Sequence, residues 1–200
     1  MISTIIAEDQ SMLRQAMVQL MELHEEINIV STVGDGGEAW QEIQKHKPAI
    51  AILDIEMPTM TGLEILSNIR EAQLDIKVII VTTFKRPGYF ESAVANDVDA
   101  YVLKERSVDE LVETMHRVMA GNKEYSDSLV TTMFKDKNPL TAKEQLVLTE
   151  IGKGLTSKEI AQTLFLSDGT VRNYTSNIID KLEVENRFEA WKKAQEKGWI

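Results

Sequence analysis

The strongest constraint on this chain is a change of period that recurs five times in its first 120 residues. Short apolar runs rich in β-branched residues alternate with stretches of helical period. The runs are Ile2 to Ala7, Ile29 to Val33, Ala49 to Leu53, Val78 to Val81 and Ala100 to Leu103. A strand apolar at successive positions is buried on both faces, as in a parallel sheet covered by helices. The helical stretches are Ser11 to Met21, Gly37 to Lys45, Gly62 to Glu71, Tyr89 to Asn96 and Ser107 to Met119. The last opens on Ser107 with Glu110 three residues on, a capping-box pattern. The expected fold of residues 1–120 is therefore α/β, a doubly wound five-stranded parallel sheet. Periodicity alone also admits a helical bundle with apolar turns.

Four of the five runs end in polar groups: Glu8 and Asp9, Asp54, Thr82, and Lys104. In open α/β sheets, ligands bind beyond the carboxyl ends of the strands. Three carboxylates and one ammonium should converge there. Carboxylates this close repel one another, and a hard divalent cation relieves that repulsion. Magnesium tolerates few protein oxygens and keeps several waters, so the group is a magnesium candidate. Asp54, on the central run, is the candidate nucleophile. Lys104 could offset charge on a phosphoryl group, and the Thr82 hydroxyl could donate a hydrogen bond to it. On these grounds alone a plainer reading stays open, in which the acids cap the helices that follow the strands.

Composition removes several other chemistries. There is no cysteine, which excludes a disulfide scaffold, a thiolate zinc site and a cysteine nucleophile. His24, His46 and His116 lack ligand spacing. No apolar run approaches the ~18 residues of a membrane span, and Met1-Ile2-Ser3-Thr4 lacks the basic flank of a signal peptide. The expected location is cytoplasmic, without membrane insertion. A net charge of −10 argues against nucleic acid until the chain is divided. Residues 1–120 hold 10 Lys+Arg against 20 Asp+Glu, whereas residues 121–200 hold 12 of each. A neutral module can still bind DNA if its cations share one face.

Residues 121–138 lose the alternation and read as a linker. Gly121-Asn122 ends the preceding helix. Ser126 to Phe134 could form a short helix through Leu129, Val130, Met133 and Phe134, and Lys135 to Pro139 is polar. Residues 139–200 read as a small all-α domain. Thr141 with Glu144 and Thr156 with Glu159 repeat the capping-box pattern. The second opens a short helix through Ile160, Ala161 and Leu164. Phe165-Leu166 is the turn, and Ser167 caps a longer helix to Leu182. A last helix runs from Arg187 to about Gly198. A short helix, a turn and a longer helix suggest a helix-turn-helix with the longer helix as reading head. Its solvent face should carry Thr170, Arg172, Asn173, Thr175, Ser176, Asn177 and Lys181. Arg172 and Asn173 suit base edges; Lys158, Lys181, Ser167 and Thr170 suit phosphates. Few cations are available, so one copy should bind weakly and a dimer on two half-sites better. Residue chemistry leaves a helical protein-interaction domain open, which would make the chain a phosphorylation-gated interaction switch without specific DNA binding.

Two family resemblances bear on these choices. Glu8-Asp9, Leu53-Asp54-Ile55-Glu56-Met57-Pro58 with Gly62, Thr82, and Tyr101-Val102-Leu103-Lys104 resemble a bacterial response-regulator receiver domain over residues 1–120. The resemblance implies that Asp54 is the phosphoacceptor and that Glu8, Asp9, Asp54 and the Glu56 carbonyl hold Mg2+. It implies that Lys104 contacts the phosphoryl group and that Thr82 and Tyr101 form a switch pair. Thr83 to Tyr89 reads as the loop and helix start that responds, or else as an ordinary solvated turn. The chain departs from many members at Glu105, where they carry proline. Leu140-Thr141-Ala142-Lys143-Glu144, Gly154, Ser157 to Ala161, Ser167, Thr170 to Tyr174, Ile178, Lys181-Leu182 and Asn186-Arg187 resemble a LuxR-type DNA-binding domain over residues 139–200. Here Lys143 and Tyr174 stand where many members have arginine and histidine.

Together the two resemblances identify the NarL/FixJ class of transcription factors. Pieces such as Arg86-Pro87-Gly88-Tyr89-Phe90 and Glu196-Lys197-Gly198-Trp199 resemble the membrane fatty-acid desaturase regulator of Gram-positive bacteria. What this implies is a partner sensor histidine kinase in the membrane, double-stranded DNA as the second partner, and lipid-related or transport genes as targets. The only catalysis implied is self-phosphorylation on aspartate from that kinase or a small phosphodonor. A homodimer is expected on phosphorylation. Its expected face is on the first and last receiver helices, through Met12, Ala16, Leu20, Met115 and Met119, although these apolar residues could equally be core.

Overall fold

The computed structural model describes residues 1–83, 86–126, 130 and 137–200. The chain divides into two compact units, residues 1–85 with 90–131 and residues 86–89 with 132–200.

The first unit is built on a six-stranded, all-parallel sheet in the order β2-β1-β3-β4-β5-β6. Its strands are β1 Ile2–Ala7, β2 Ile27–Val33, β3 Ile50–Leu53, β4 Lys77–Thr82, β5 Ala100–Leu103 and β6 Glu124–Tyr125. The helices between them are α1 Ser11–Met21, α2 Gly36–His46, α3 Gly62–Glu71, α4 Pro87–Ala95 and α5 Val108–Met119. All four residues of β3 and of β5 are buried, because helices cover both faces of the sheet. Met17 and Met21 of α1 join Leu111, Val112, Met115 and Val118 of α5 in one core against Ile6, Ile52, Ile79 and Val102. Ser107 caps α5 with the expected capping box.

The five expected strands are present, and β6 is an addition. It lies where the sequence suggests a linker and has only two residues, too few to show a period. Backbone pairing makes it a strand: Glu124 N donates to Asp99 O at 3.1 Å and Ser126 N to Tyr101 O at 3.1 Å. Arg106 and Arg117 both pair with the Glu124 carboxylate and tie this edge to α5. The short helix expected over Ser126 to Phe134 falls largely outside the described residues.

Burial corrects one expected surface residue. Met115 is completely buried between α5 and the sheet and cannot belong to an exposed dimer face. Met12, Ala16, Leu20 and Met119 are exposed. Met115 and Val118 hold the middle of the apolar stripe of α5, which the sheet covers, while Met119 sits at its solvent margin.

The second unit comprises α6 Ala142–Gly152, α7 Ser157–Thr163, α8 Asp168–Leu182 and α9 Arg187–Glu196. Capping boxes start α6 and α7 as the sequence suggests. Val147, Leu148, Ile151, Ile160, Val171, Ile178 and Ala190 form its core.

Gly62 connects packing to the polar centre of the first unit. It opens α3 directly against the backbone after β3, where its N–H donates to Ile55 O at 3.0 Å. A Cβ at this position would lie 2.1 Å from the Asp54 carbonyl oxygen. Backbone cannot yield as a flexible side chain can, so Gly62→Ala should destabilise the first unit by about 2 kcal/mol or more. Urea unfolding checks this; an unchanged midpoint would show that α3 can move away freely.

Candidate functional site

The carboxyl ends of β1, β3, β4 and β5 place the polar centre. Parallel pairing sets Ala7 opposite Leu53 and Thr82 opposite Leu103, so the next residues emerge side by side. Asp54 N donates to Ala7 O at 2.9 Å and Lys104 N to Thr82 O at 2.9 Å, continuing the ladders by one residue. Lys104 Nζ then reaches Glu8 Oε2 at 2.7 Å and Asp54 Oδ2 at 2.9 Å. Ile55 N donates to Asp54 Oδ1 at 2.7 Å. Both oxygens of Asp54 are therefore held, one by a backbone amide and one by an ammonium.

The centre is buried, with Glu8 2% and Asp54 4% exposed, while Asp9 is open to solvent. Burial pushes both buried carboxyls above the usual carboxylate range, against the pull of Lys104. Burial works against the Lys104 ammonium too, but its bonds to Glu8 and Asp54 outweigh that and hold it above its ordinary value. One ammonium faces two buried carboxylates, and Asp9 adds a third. One carboxylate oxygen from each of Glu8, Asp9 and Asp54 can lie within 4.8 Å of the others. This all-oxygen donor set fits a hard divalent cation.

Thr82 is completely buried at the end of β4. Tyr101, also completely buried, meets Phe90 of α4 edge-on at 5.2 Å, and Phe90 meets Tyr125 of β6 at 5.4 Å. Glu56 is half-buried in the β3–α3 loop. The loop expected to respond, Thr83 to Tyr89, includes Phe84 and Lys85, which lie outside the described residues. Arg14 is a contributor that sequence reasoning missed: its guanidinium donates to the Glu8 carbonyl and ties α1 to the end of β1. Six residues separate the pair, and nothing in residue type announces it.

In the second unit, α8 buries Val171, Ile178 and Leu182 and turns Arg172, Asn173, Ser176 and Asn177 to solvent. Ser167 caps α8, accepting from Thr170 N at 3.0 Å. Thr170 and Thr175 are half-buried, and Lys158 on α7 is exposed. Arg172 is 68% exposed and pairs with Asp168 one turn earlier at 2.6 Å. Lys181 stands apart. Its ammonium meets Glu144 Oε2 at 2.7 Å, and that same oxygen accepts from Thr141 N at 2.7 Å. The buried Glu144 thus closes the first turn of α6 and fastens α8 to it. The capping box was legible in sequence; the second role of Glu144, across 37 residues, was not.

Burial pushes the Glu144 carboxyl up, but the bonds from Lys181 and Thr141 prevail and hold it below the usual range. A depressed folded value stabilises the fold above the unfolded pKa, and the benefit fades as pH falls through the folded value. Glu144→Gln should lower the melting temperature of this domain at pH 7, and the gap from wild type should close as pH drops below about 4. Circular dichroism melts of the full chain across pH test this; a gap independent of pH would contradict it.

Comparisons with known proteins agree with both halves. Residues 4–116 match the response regulator receiver domain family. Residues 138–194 match the luxR family of bacterial regulatory proteins. The chain is 44% identical over 200 residues to YvfU, an uncharacterized transcriptional regulatory protein of Bacillus subtilis, covering 100% of both chains. It is 43% identical over 200 residues to the transcriptional regulatory protein DesR of the same organism, again covering 100% of both. Among solved structures it is similar to a LuxR-family DNA-binding response regulator of Staphylococcus aureus. That match has 63% identity and a TM-score of 0.59, and covers 60% of this chain and 99% of the other. Among the described residues no helix is long and apolar enough to cross a membrane.

Proposed function

Because this chain belongs to the bacterial response regulators that join a receiver domain to a LuxR-type helix-turn-helix domain, we propose that phosphorylation of Asp54 controls its binding to duplex DNA. The receiver occupies residues 1–120, the DNA-binding domain residues 139–200, and residues 121–138 link them. One observation carries the reading: Lys104 Nζ bonds both Asp54 and Glu8 where three strands end. A carboxylate oxygen of Asp54 attacks the phosphorus of a phosphohistidine or a small acyl phosphate. The new P–O bond forms as the bond to imidazole nitrogen or acyl oxygen breaks. Lys104, already on Asp54 Oδ2, offsets charge on the transferring group. Ile55 N–H orients the other oxygen. Magnesium, held by Glu8, Asp9, Asp54 and the Glu56 carbonyl, would supply charge neutralisation at the same centre.

The phosphoryl group adds strong acceptors beside Thr82, whose move toward it would leave space for Tyr101. Thr82, Tyr101 and Lys104 are thus the switch and contact residues. A bias of a few kcal/mol between two conformations suffices for such a switch. In the DNA-binding domain, Arg172 and Asn173 read base edges, and Lys158, Ser167 and Thr170 meet phosphates. Lys181 contributes through its placement by Glu144 as well as its charge. Dimerisation on phosphorylation doubles these few contacts. Its face is Met12, Ala16, Leu20 and Met119, on α1 and α5. A membrane-bound sensor histidine kinase is the proposed donor, the cytoplasm the proposed compartment, and membrane-lipid or transport genes the proposed targets, supported by the desaturase-regulator resemblance.

Selection of duplexes from a random library, with and without acetyl phosphate and Mg2+, tests the function. A two-half-site sequence should be enriched only with both reagents, and Asp54→Ala should lose it. No enrichment by a chain shown to be phosphorylated would favour the protein-interaction reading. Sedimentation tests the face: Leu20→Glu, which leaves the buried Met115 intact, should abolish the phosphorylation-dependent dimer. Dimers that persist in a folded variant would place the face elsewhere.

A further inference from the structure

The turn between α7 and α8 contains an unusual residue choice. Leu166 N donates to Ala161 O at 2.8 Å and Phe165 N to Gln162 O at 3.4 Å. This is a Schellman end, which requires a left-handed residue at the position of Phe165, and glycine is the usual choice. Phe165 indeed has φ 55°, and its side chain is 96% exposed. The chain uses glycine for left-handed backbone after α5, α6 and α9, at Gly121, Gly154 and Gly198. The other described non-glycine residues with positive φ are Lys47, Thr59, Gln73, Asp97 and Glu183, all polar. Among the described residues, Phe165 alone combines backbone strain with an aromatic ring left in water. Both features are unfavourable in the free domain, and such outliers are kept where they serve a site.

The surroundings indicate what covers the ring. Leu164 and Leu166, its neighbours, are half-buried against the core, so the turn itself is anchored. Lys158, Gln162 and Phe165 follow at helical spacing, and all three are exposed. On the other side of the ring the chain enters α8 through Ser167, then Thr170, Arg172 and Asn173. Along the chain Phe165 therefore falls between the exposed lysine of α7 and the first turns of the reading helix. A reading helix presents its N-terminal residues to base edges. In that setting an aromatic ring meets the apolar parts of DNA, the thymine methyl group or the deoxyribose.

We propose that Phe165 is a DNA-contacting residue, which packs its ring against an apolar edge of the duplex and adds affinity that does not depend on charge. This rests on the DNA-binding reading above. The test uses the full chain, phosphorylated with acetyl phosphate and Mg2+, on a duplex selected by the wild type. Phe165→Gly suits the left-handed turn, so the variant should melt at or above the wild-type temperature. It should nonetheless bind the duplex about tenfold more weakly or worse. The slope of log affinity against log salt should not change, because the ring neutralises no phosphate. Lys158→Ala, by contrast, should reduce that slope by about one. Replacing thymines one at a time with deoxyuridine separates the two apolar sources. A loss at one position in wild type, absent in Phe165→Gly, assigns the methyl group; a uniform response assigns the sugar. Affinity of Phe165→Gly within twofold of wild type overturns the proposal while the DNA-binding reading stands. Failure of the wild type to select any duplex overturns both.

Discussion

The receiver depends on one ammonium. Lys104 Nζ lies within hydrogen-bond distance of Glu8 and Asp54, and so joins the ends of β5, β1 and β3. Removing one partner of a buried pair typically costs about 3–5 kcal/mol, whereas an exposed pair contributes about 0–1. The pair is nevertheless a poor device for stability alone, since apolar residues of like volume would do as well or better. Its placement explains it better. The sheet's parallel register delivers these groups to one point beyond the strand ends, where α/β folds bind ligands. The centre keeps an excess of negative charge, and burial makes that excess unfavourable. A centre of this kind is disposed to accept a cation and a phosphoryl group together.

Supporting contacts fix this centre from several directions. Arg14 grips the carbonyl of Glu8 from α1. Gly62 lets α3 close on the backbone of Asp54 with no room for a methyl group. Tyr101 is packed under Phe90, whose ring also touches Tyr125 on the added strand β6. A change at Tyr101 therefore bears on α4, β5 and β6 together. Close-packed interiors answer small displacements by shifting between discrete arrangements rather than by deforming smoothly.

The helix-turn-helix unit solves a different problem. It carries no net charge, so its affinity for a polyanion must come from where its cations point. Glu144 is central to that arrangement. Buried and held by Thr141 and Lys181, it spends its negative charge inside the domain and leaves the outer face of α8 to Arg172 and Asn173. Asp168 restrains Arg172 through an i,i+4 pair that is largely exposed and hence weak. So modest a cationic surface is consistent with a module that works in pairs.

Much of this was legible in the chain before folding. The alternating periods marked five strands and the helices between them, because periodicity records which faces are buried. The capping boxes at Ser107, Thr141 and Thr156 formed as the spacing suggested, since their partners lie three residues apart. The strand-end acids were visible as polar residues closing apolar runs, although the sequence alone left open that they cap the helices that follow. Contacts between distant residues were not legible in this way. Lys104 meets Glu8 across 96 residues and Lys181 meets Glu144 across 37. The strand β6 has two residues and no period, so only backbone pairing with β5 could define it. Met115 and Met119 share one apolar stripe, yet one is core and the other surface. Residue spacing marks a stripe, but the width of the opposing sheet decides how much of it is covered.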